Sequence, residues 1–186
     1  GFYTHEDARR IVVFAASRFV TVVPEIEVPA HVQAALAAYP ELGNLDVTGE
    51  DAPDAPWPRF GINRHTLNID EETVAFFCDV IDEVAAVFPS PWIGLGGDEA
   101  KRDEWAASPR IAERMSELGL ADVTAVQPWF MSRLAAHLRT LGRTPFAWDE
   151  AISGVEMWDT PPAVATWRGK VAQREALRRG LDVVAC

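Results

Sequence analysis

With 186 residues, 48% hydrophobic and 24% charged, the chain has the balance of a folded domain with one sizeable core, which excludes a disordered segment. Its 28 acidic residues against 17 basic ones give a formal net charge of -11, so a basic nucleic-acid-binding surface is excluded while a neutral ligand is not. No apolar run reaches the roughly 18 residues of a membrane span, and Cys78 and Cys186 form neither a disulfide framework nor a metal-ligand spacing.

Neither nucleic acid nor membrane is therefore an expected partner, and no cofactor or metal is expected. The opening segment lacks the basic start and apolar core of a signal peptide, but the chain begins and ends inside structural patterns, so localisation stays open.

Thr4 followed by Asp7 is a helix-start signal, and Ile11, Val12, Ala15 and Ala16 keep a helical period, which predicts a helix over about 5–18. The β-branched run Phe19 to Val23, closed by Pro24, predicts a strand, and PEIEVPAH leads away from it. From Pro40 to Arg64 the residues are rich in Pro, Gly, Asp and Asn without a period, the pattern of a long surface loop. Asp70 is placed to cap a helix with apolar positions Val74, Phe77, Ile81, Val84 and Val87, and Trp92 to Leu95 reads as a strand ending in GGDE. Helical patterns at about 108–118 and 123–141 precede strands near 144–148, 163–167 and 181–185.

Strands recurring with helices between them imply parallel βαβ units, so the fold class is α/β, with a (β/α)8 TIM barrel favoured over a doubly wound sheet. In a barrel the active residues sit just past the strand C-termini, where PEIEVPAH, GGDE, the tripeptide Trp148–Glu150 and the segment from Trp167 to Gly169 all fall. Five strands are countable, whereas a closed barrel has eight in about 250 residues. The expectation is a single catalytic barrel domain over 1–186 that is incomplete, covering roughly strands 3 to 7, and inactive when expressed alone.

Asp98 and Glu99 follow two glycines at the end of a buried strand, where charge is costly without work or partners. Strand neighbours point to opposite faces, so both carboxylates enter one pocket only if the backbone leaves the pleat, which Gly96 and Gly97 permit. The bland alternative is a turn in which Asp98 caps the next helix. Ordinary retaining glycosidases need carboxyls about 5–5.5 Å apart on opposite sides of the scissile bond, a poor match to sequence neighbours. Substrate-assisted hydrolysis needs no enzyme nucleophile, because the substrate's 2-acetamido oxygen attacks the anomeric carbon.

Four ordered motifs carry a resemblance to the family-20 glycoside hydrolases, the β-N-acetylhexosaminidases: Tyr-Thr-x-x-Asp at Tyr3 to Asp7, VVPEIEVPAH, GGDE, and Trp-Asp-Glu at Trp148 to Glu150. The resemblance implies retaining hydrolysis of terminal non-reducing β-linked N-acetylhexosamine, with glycans containing N-acetylglucosamine or N-acetylgalactosamine as partners. It implies Glu99 as general acid/base, Asp98 as the carboxylate orienting the acetamide, His31 as the histidine tuning the acid, and Trp148 and Trp167 as pocket walls. The chain departs from the usual family pattern at Glu27, where aspartate is common, at Ala30, where glycine is, and at Gly94, where a histidine often stands.

Two other readings use the same residues. His31, Asp98 and Glu99 could ligate a metal in a barrel hydrolase, although one histidine is few for such a site. Alternatively, the barrel binds sugar without turning it over. Trp57, Trp92, Trp105, Trp129 and Trp158 are assigned no function, and Arg9, Arg10, Arg178 and Arg179 are read as solvated helix faces.

Overall fold

The computed structural model describes residues 2–186. In chain order the regular elements are α1 (His5–Ala16), β1 (Glu25–Val28), α2 (Gln33–Ala38), α3 (Leu45–Thr48), α4 (Glu71–Val87), β2 (Trp92–Gly96), α5 (Asp103–Ala107), α6 (Pro109–Leu118), α7 (Val126–Thr140), β3 (Thr144–Trp148), β4 (Ala163–Thr166), α8 (Lys170–Arg178) and β5 (Val183–Ala185). The strands form one sheet in the order β1-β2-β3-β4-β5, every pair parallel. Sequential strand order without a reversal is the arrangement of a (β/α) barrel arc, since a doubly wound sheet changes direction at a switch point.

The two faces of the sheet differ in composition. Val28, Ile93, Leu95, Ala147 and Val164 join one core cluster with Leu36, Phe77, Ile81, Phe130, Leu134, Leu138 and Ala176 from the helices. Phe77 of α4 meets Phe130 of α7 edge to face at 6.3 Å between ring centroids, a favoured aromatic geometry. Alternation then turns Glu25, Glu27, Gly94, Gly96, Phe146 and Trp148 to the opposite face, with Glu25, Gly94, Phe146 and Ala163 in one row of the register.

Most predicted elements are present, and the first strand is displaced. Phe19 to Val23 is not a strand: α1 ends in backbone bonds from Arg18, Phe19 and Val20 to Ala15 and Ala16, with Phe19 at φ 60 and fully exposed. Strand β1 is instead the EIEV segment. Its start is set by pairing, with Gly94 N–H donating to the Pro24 carbonyl at 2.8 Å and Glu25 in register with Gly94. The acidic alternation that appears to leave a strand is the alternation of one, with Ile26 and Val28 toward the core. The capping box at Thr4 and Asp7 is formed in both directions. Asp70 occupies the N-cap position of α4, but its side chain makes no cap hydrogen bond and pairs with Arg110.

The segment from Pro40 to Arg64 also departs from expectation, because short helical turns at Pro40–Leu42, α3 and Gly49–Asp51 punctuate it. A buried polar network fastens it. The Glu104 carboxylate of α5 lies 2.8 Å from His65 Nδ1 and accepts from Asn44 Nδ2 at 3.1 Å and Thr66 N–H at 3.3 Å. Asn68 donates to the carbonyls of Glu41 and Gly43, and Trp105 Nε1 donates to the Leu67 carbonyl at 2.8 Å. Buried donors deprived of their acceptor cost about 1–3 kcal/mol each. Glu104→Ala is therefore expected to lower unfolding free energy by about 2 kcal/mol or more, read as an earlier urea midpoint at unchanged slope.

Candidate active site

The backbone leaves the pleat at the end of β2. Gly96 and Gly97 have φ of 61 and 94, and Glu99 follows at φ 55, a conformation that a residue with a Cβ adopts only where its surroundings impose it. Strain of this kind costs on the order of 1–3 kcal/mol and clusters at functional sites. Helix α7 holds the turn down: Gln127 Nε2 donates to the Gly97 carbonyl at 2.5 Å, and a Cβ at Gly97 would lie 2.5 Å from Met131 Cε. The pleat is thus broken where two glycines allow it, and Asp98 and Glu99 reach one cavity.

His31, in the turn after β1, is itself at φ 56, and its Nε2 lies 3.2 Å from Asp98 Oδ2 and 3.4 Å from Glu99 Oε2. A single ring nitrogen facing both carboxylates places them on the same side of the cavity. Asp98, Glu99, Trp148, Trp167 and Cys186 line a cavity of about 310 Å³. A second cavity of about 180 Å³ also touches Glu99 and continues past Arg102, Gln127, Glu150 and Arg168. Glu99 therefore stands at the junction of two spaces, one walled by indoles and one by polar groups.

Trp148 ends β3 in register with Ala165, and Trp167 is positioned by the residues that follow β3. Asp149, with no exposed surface, accepts from the backbone N–H of Trp167 at 3.1 Å and of Arg168 at 3.0 Å, and pairs with the Arg168 guanidinium. Glu150 Oε2 accepts from Trp167 Nε1 at 3.2 Å. Burial pushes the Glu150 carboxyl above its ordinary range, while Trp167 and Arg168 pull the other way. The β3 end thereby clamps the wall that follows β4.

All five expected residues meet here: Glu99, Asp98 and His31 at the carboxylate end, Trp148 and Trp167 as walls. Those set aside behave otherwise, since Trp105, Trp129 and Trp158 are core residues and Trp57 and Trp92 lie at the surface. Sequence reasoning placed Asp149 and Glu150 in a strand-end motif but gave them no role, although a second adjacent carboxylate pair at a strand end carried the same signal as GGDE. It overlooked Cys186, whose N–H donates to the Thr166 carbonyl at 3.0 Å and prolongs the β4–β5 ladder into the cavity. Glu27 was seen only as a departure from a pattern. It is half-buried beside Asp98 and Glu25, and partial burial together with these two negative neighbours raises its carboxyl to about 9.

The catalytic-domain model of glycosyl hydrolase family 20 matches residues 1–186. A β-hexosaminidase of Porphyromonas gingivalis is 38% identical over 186 residues, which is 99% of this chain and 23% of that protein. The crystal structure of a β-N-acetylhexosaminidase from Bacteroides fragilis superposes with a TM-score of 0.80 at 32% identity, covering 99% of this chain and 36% of that one. A family-20 exo-β-N-acetylglucosaminidase from Vibrio harveyi, in complex with N-acetylglucosamine, superposes with a TM-score of 0.84 at 31% identity, covering 100% of this chain and 28% of that one. The chain thus spans well under half the length of these relatives, and its five-stranded sheet corresponds to part of their barrel. With a whole-chain family match and GGDE and the tryptophan walls gathered at the strand ends, the chain belongs to glycoside hydrolase family 20, within its catalytic domain.

Proposed function

We propose that residues 1–186 are part of one catalytic barrel domain that hydrolyses terminal non-reducing β-linked N-acetylhexosamine with retention, by substrate-assisted catalysis. The observation that supports this most strongly is the placement of Asp98 and Glu99, whose oxygens, with His31, lie within 4.8 Å of one another on one side of an indole-walled cavity. Carboxylates on the same side cannot act as acid and nucleophile across a glycosidic bond. They suit a division of labour in which the substrate supplies the nucleophile.

In this reading Glu99 protonates the departing oxygen, then takes a proton from the water that opens the oxazolinium. Asp98 accepts the acetamide N–H, aims its carbonyl oxygen at the anomeric carbon and balances the positive charge that develops. His31 donates between the two carboxylates and holds them apart in orientation. Trp148 and Trp167 pack the sugar face and the acetyl methyl and keep water from the intermediate. The relatives' names speak for N-acetylhexosamine as the sugar; the V. harveyi complex contains N-acetylglucosamine.

The Glu99 role is tested with Glu99→Gln in the full-length enzyme. Glycosides with a poor leaving group should lose about 10²–10⁴-fold in rate, and an activated aryl glycoside much less, since general acid catalysis matters only where the leaving oxygen needs a proton. Equal losses on both would remove Glu99 from that role.

The Asp98 role is tested on both partners of the contact. Asp98→Asn should slow N-acetyl substrates strongly, and a substrate lacking the acetamido group should not be turned over. Efficient cleavage of a plain glucoside or galactoside would show an enzyme nucleophile instead. Excess chelator should leave the rate unchanged; its abolition, with recovery on adding a divalent cation, would assign the His31, Asp98 and Glu99 cluster to a metal.

A further inference from the structure

The carboxylate pair after β3 takes hold of one tryptophan at both of its N–H groups. Asp149, fully buried, accepts from the Trp167 backbone N–H at 3.1 Å, and Glu150 Oε2 accepts from the indole Nε1 of the same residue at 3.2 Å. The first bond fixes where Trp167 sits, and the second bears on where its ring points. Two other tryptophans show why the second bond matters. Trp158 is 5% exposed and its indole N–H has no hydrogen-bond partner, so packing orients that ring. Trp105 is 1% exposed and donates to the Leu67 carbonyl as well. Trp167 is 46% exposed and belongs neither to the hydrophobic core cluster nor, among the described residues, to an aromatic pair. A half-exposed ring has few packing neighbours to choose its rotamer, so a hydrogen bond at its edge decides the angle.

We propose that Glu150 is a positioning residue that sets the angle of the Trp167 indole in the cavity walled by Trp148 and Trp167. The inference rests on the sugar-packing role of Trp167 given above and adds the group that holds the ring to it. The tether comes from outside that cavity: Trp167 lines the indole-walled space, while Glu150 lines the polar one that also touches Glu99. The holder is itself held. The Arg168 guanidinium pairs with buried Asp149 and lies 3.7 Å from Glu150 Oε1, which leaves Glu150 Oε2 to the indole.

The electrostatics of Glu150 tie its charge to the same bond. Burial raises its carboxyl above the ordinary range; the Trp167 indole N–H, the Arg168 guanidinium and a backbone N–H draw it down, and Asp149 pushes it up. Across the polar cavity stand Glu99 and Arg102. A donor that stabilises the carboxylate is, by reciprocity, held more tightly by the carboxylate than by the neutral acid. Removing the indole N–H therefore raises Glu150 further, and protonating Glu150 loosens the indole.

The test uses the full-length enzyme with Glu150→Gln, Glu150→Ala, Trp167→Phe and the double variant Glu150→Ala with Trp167→Phe. The amide oxygen of Glu150→Gln accepts in the same place, so it should recover most of the kcat/KM on an N-acetylglucosaminide that Glu150→Ala loses, a loss of about 10²-fold if the ring moves by an ångström. Phenylalanine keeps a ring and has no N–H, so once Trp167→Phe is present Glu150→Ala should cost no more than about 2-fold further, the ordinary scatter of independent sites. A purely structural role for Glu150 would instead add its full loss to the double variant. A second measurement needs no turnover: with nitrogen-15-labelled tryptophan, the indole resonance that disappears in Trp167→Phe should shift in Glu150→Ala and stay closer to its place in Glu150→Gln, while the remaining indole resonances hold still. Additive losses overturn the proposal, and so does a Trp167 resonance that ignores Glu150→Ala. Were Trp167 not to pack the sugar, its resonance would still follow Glu150 while Trp167→Phe left kcat/KM unchanged, so failure of the sugar-packing role is told apart from failure of the tether.

Discussion

Neighbouring residues of a strand point apart, and a site that needs two neighbouring carboxylates must spend backbone conformation to bring them together. The break in the pleat from Gly96 to Glu99 is that expenditure, with positive φ at three of four positions, Gly96, Gly97 and Glu99. Glycine bears it without loss at two of them, while Glu99 bears it with a Cβ. What keeps Glu99 there is the surrounding packing: the Gln127 amide on the Gly97 carbonyl, Met131 against the Gly97 Cα, and His31 facing both carboxylates. Because α7 reaches the turn from the core side, the same helix that completes the hydrophobic interior fixes the turn that carries Glu99.

Two carboxylates flank this turn, Asp149 buried and Glu27 half-buried, and their surroundings push them in opposite directions. Asp149 is fully buried and satisfied by donors, two backbone N–H groups and the Arg168 guanidinium, an arrangement that favours the charged form. Glu27 has Glu25, Asp98 and Gly96 beside it, and partial burial with the two negative neighbours favours the neutral form. The first fastens a wall and the second stands behind a reacting group. A charge held by a cation is fixed in place and sign.

Much of this was legible in the chain itself. The parallel α/β architecture, four of five strand positions and the pairing of Asp98 with Glu99 follow from periodicity, turn residues and the glycines that precede the carboxylates. The first strand was not legible, because Phe19 to Val23 has the composition of a strand and EIEV does not. Pairing decides between them: β2 offers glycine at 94 and 96, and only a partner whose inward positions are long acidic side chains fills those notches. Local propensity carries no information about the facing strand, so a tertiary match overrode it. The segment 40–64 was illegible for a similar reason, since its order comes from the buried Glu104 and Asn68, residues remote in sequence that supply acceptors and donors to it.

That separation has a consequence for how the site is held. The network centred on Glu104 ties the long segment to α5 and contributes no residue to the indole-walled cavity. The cavity is fixed instead at the C-terminal edge of the sheet, where the β2 turn, the Asp149 clamp after β3, Trp167 after β4 and Cys186 after β5 succeed one another along one rim. Each is positioned by backbone hydrogen bonding to a neighbouring strand or by a side chain at its root, so spacing between the acid and the indoles follows strand spacing. A rim built this way keeps Asp98, Glu99 and the indoles in register to within the tolerance of a sheet, which is what the proposed intramolecular nucleophile would demand: an acetamide oxygen reaches an anomeric carbon only if the ring, the acetyl group and the acid are held together. The surface segments are then free to vary without disturbing that geometry.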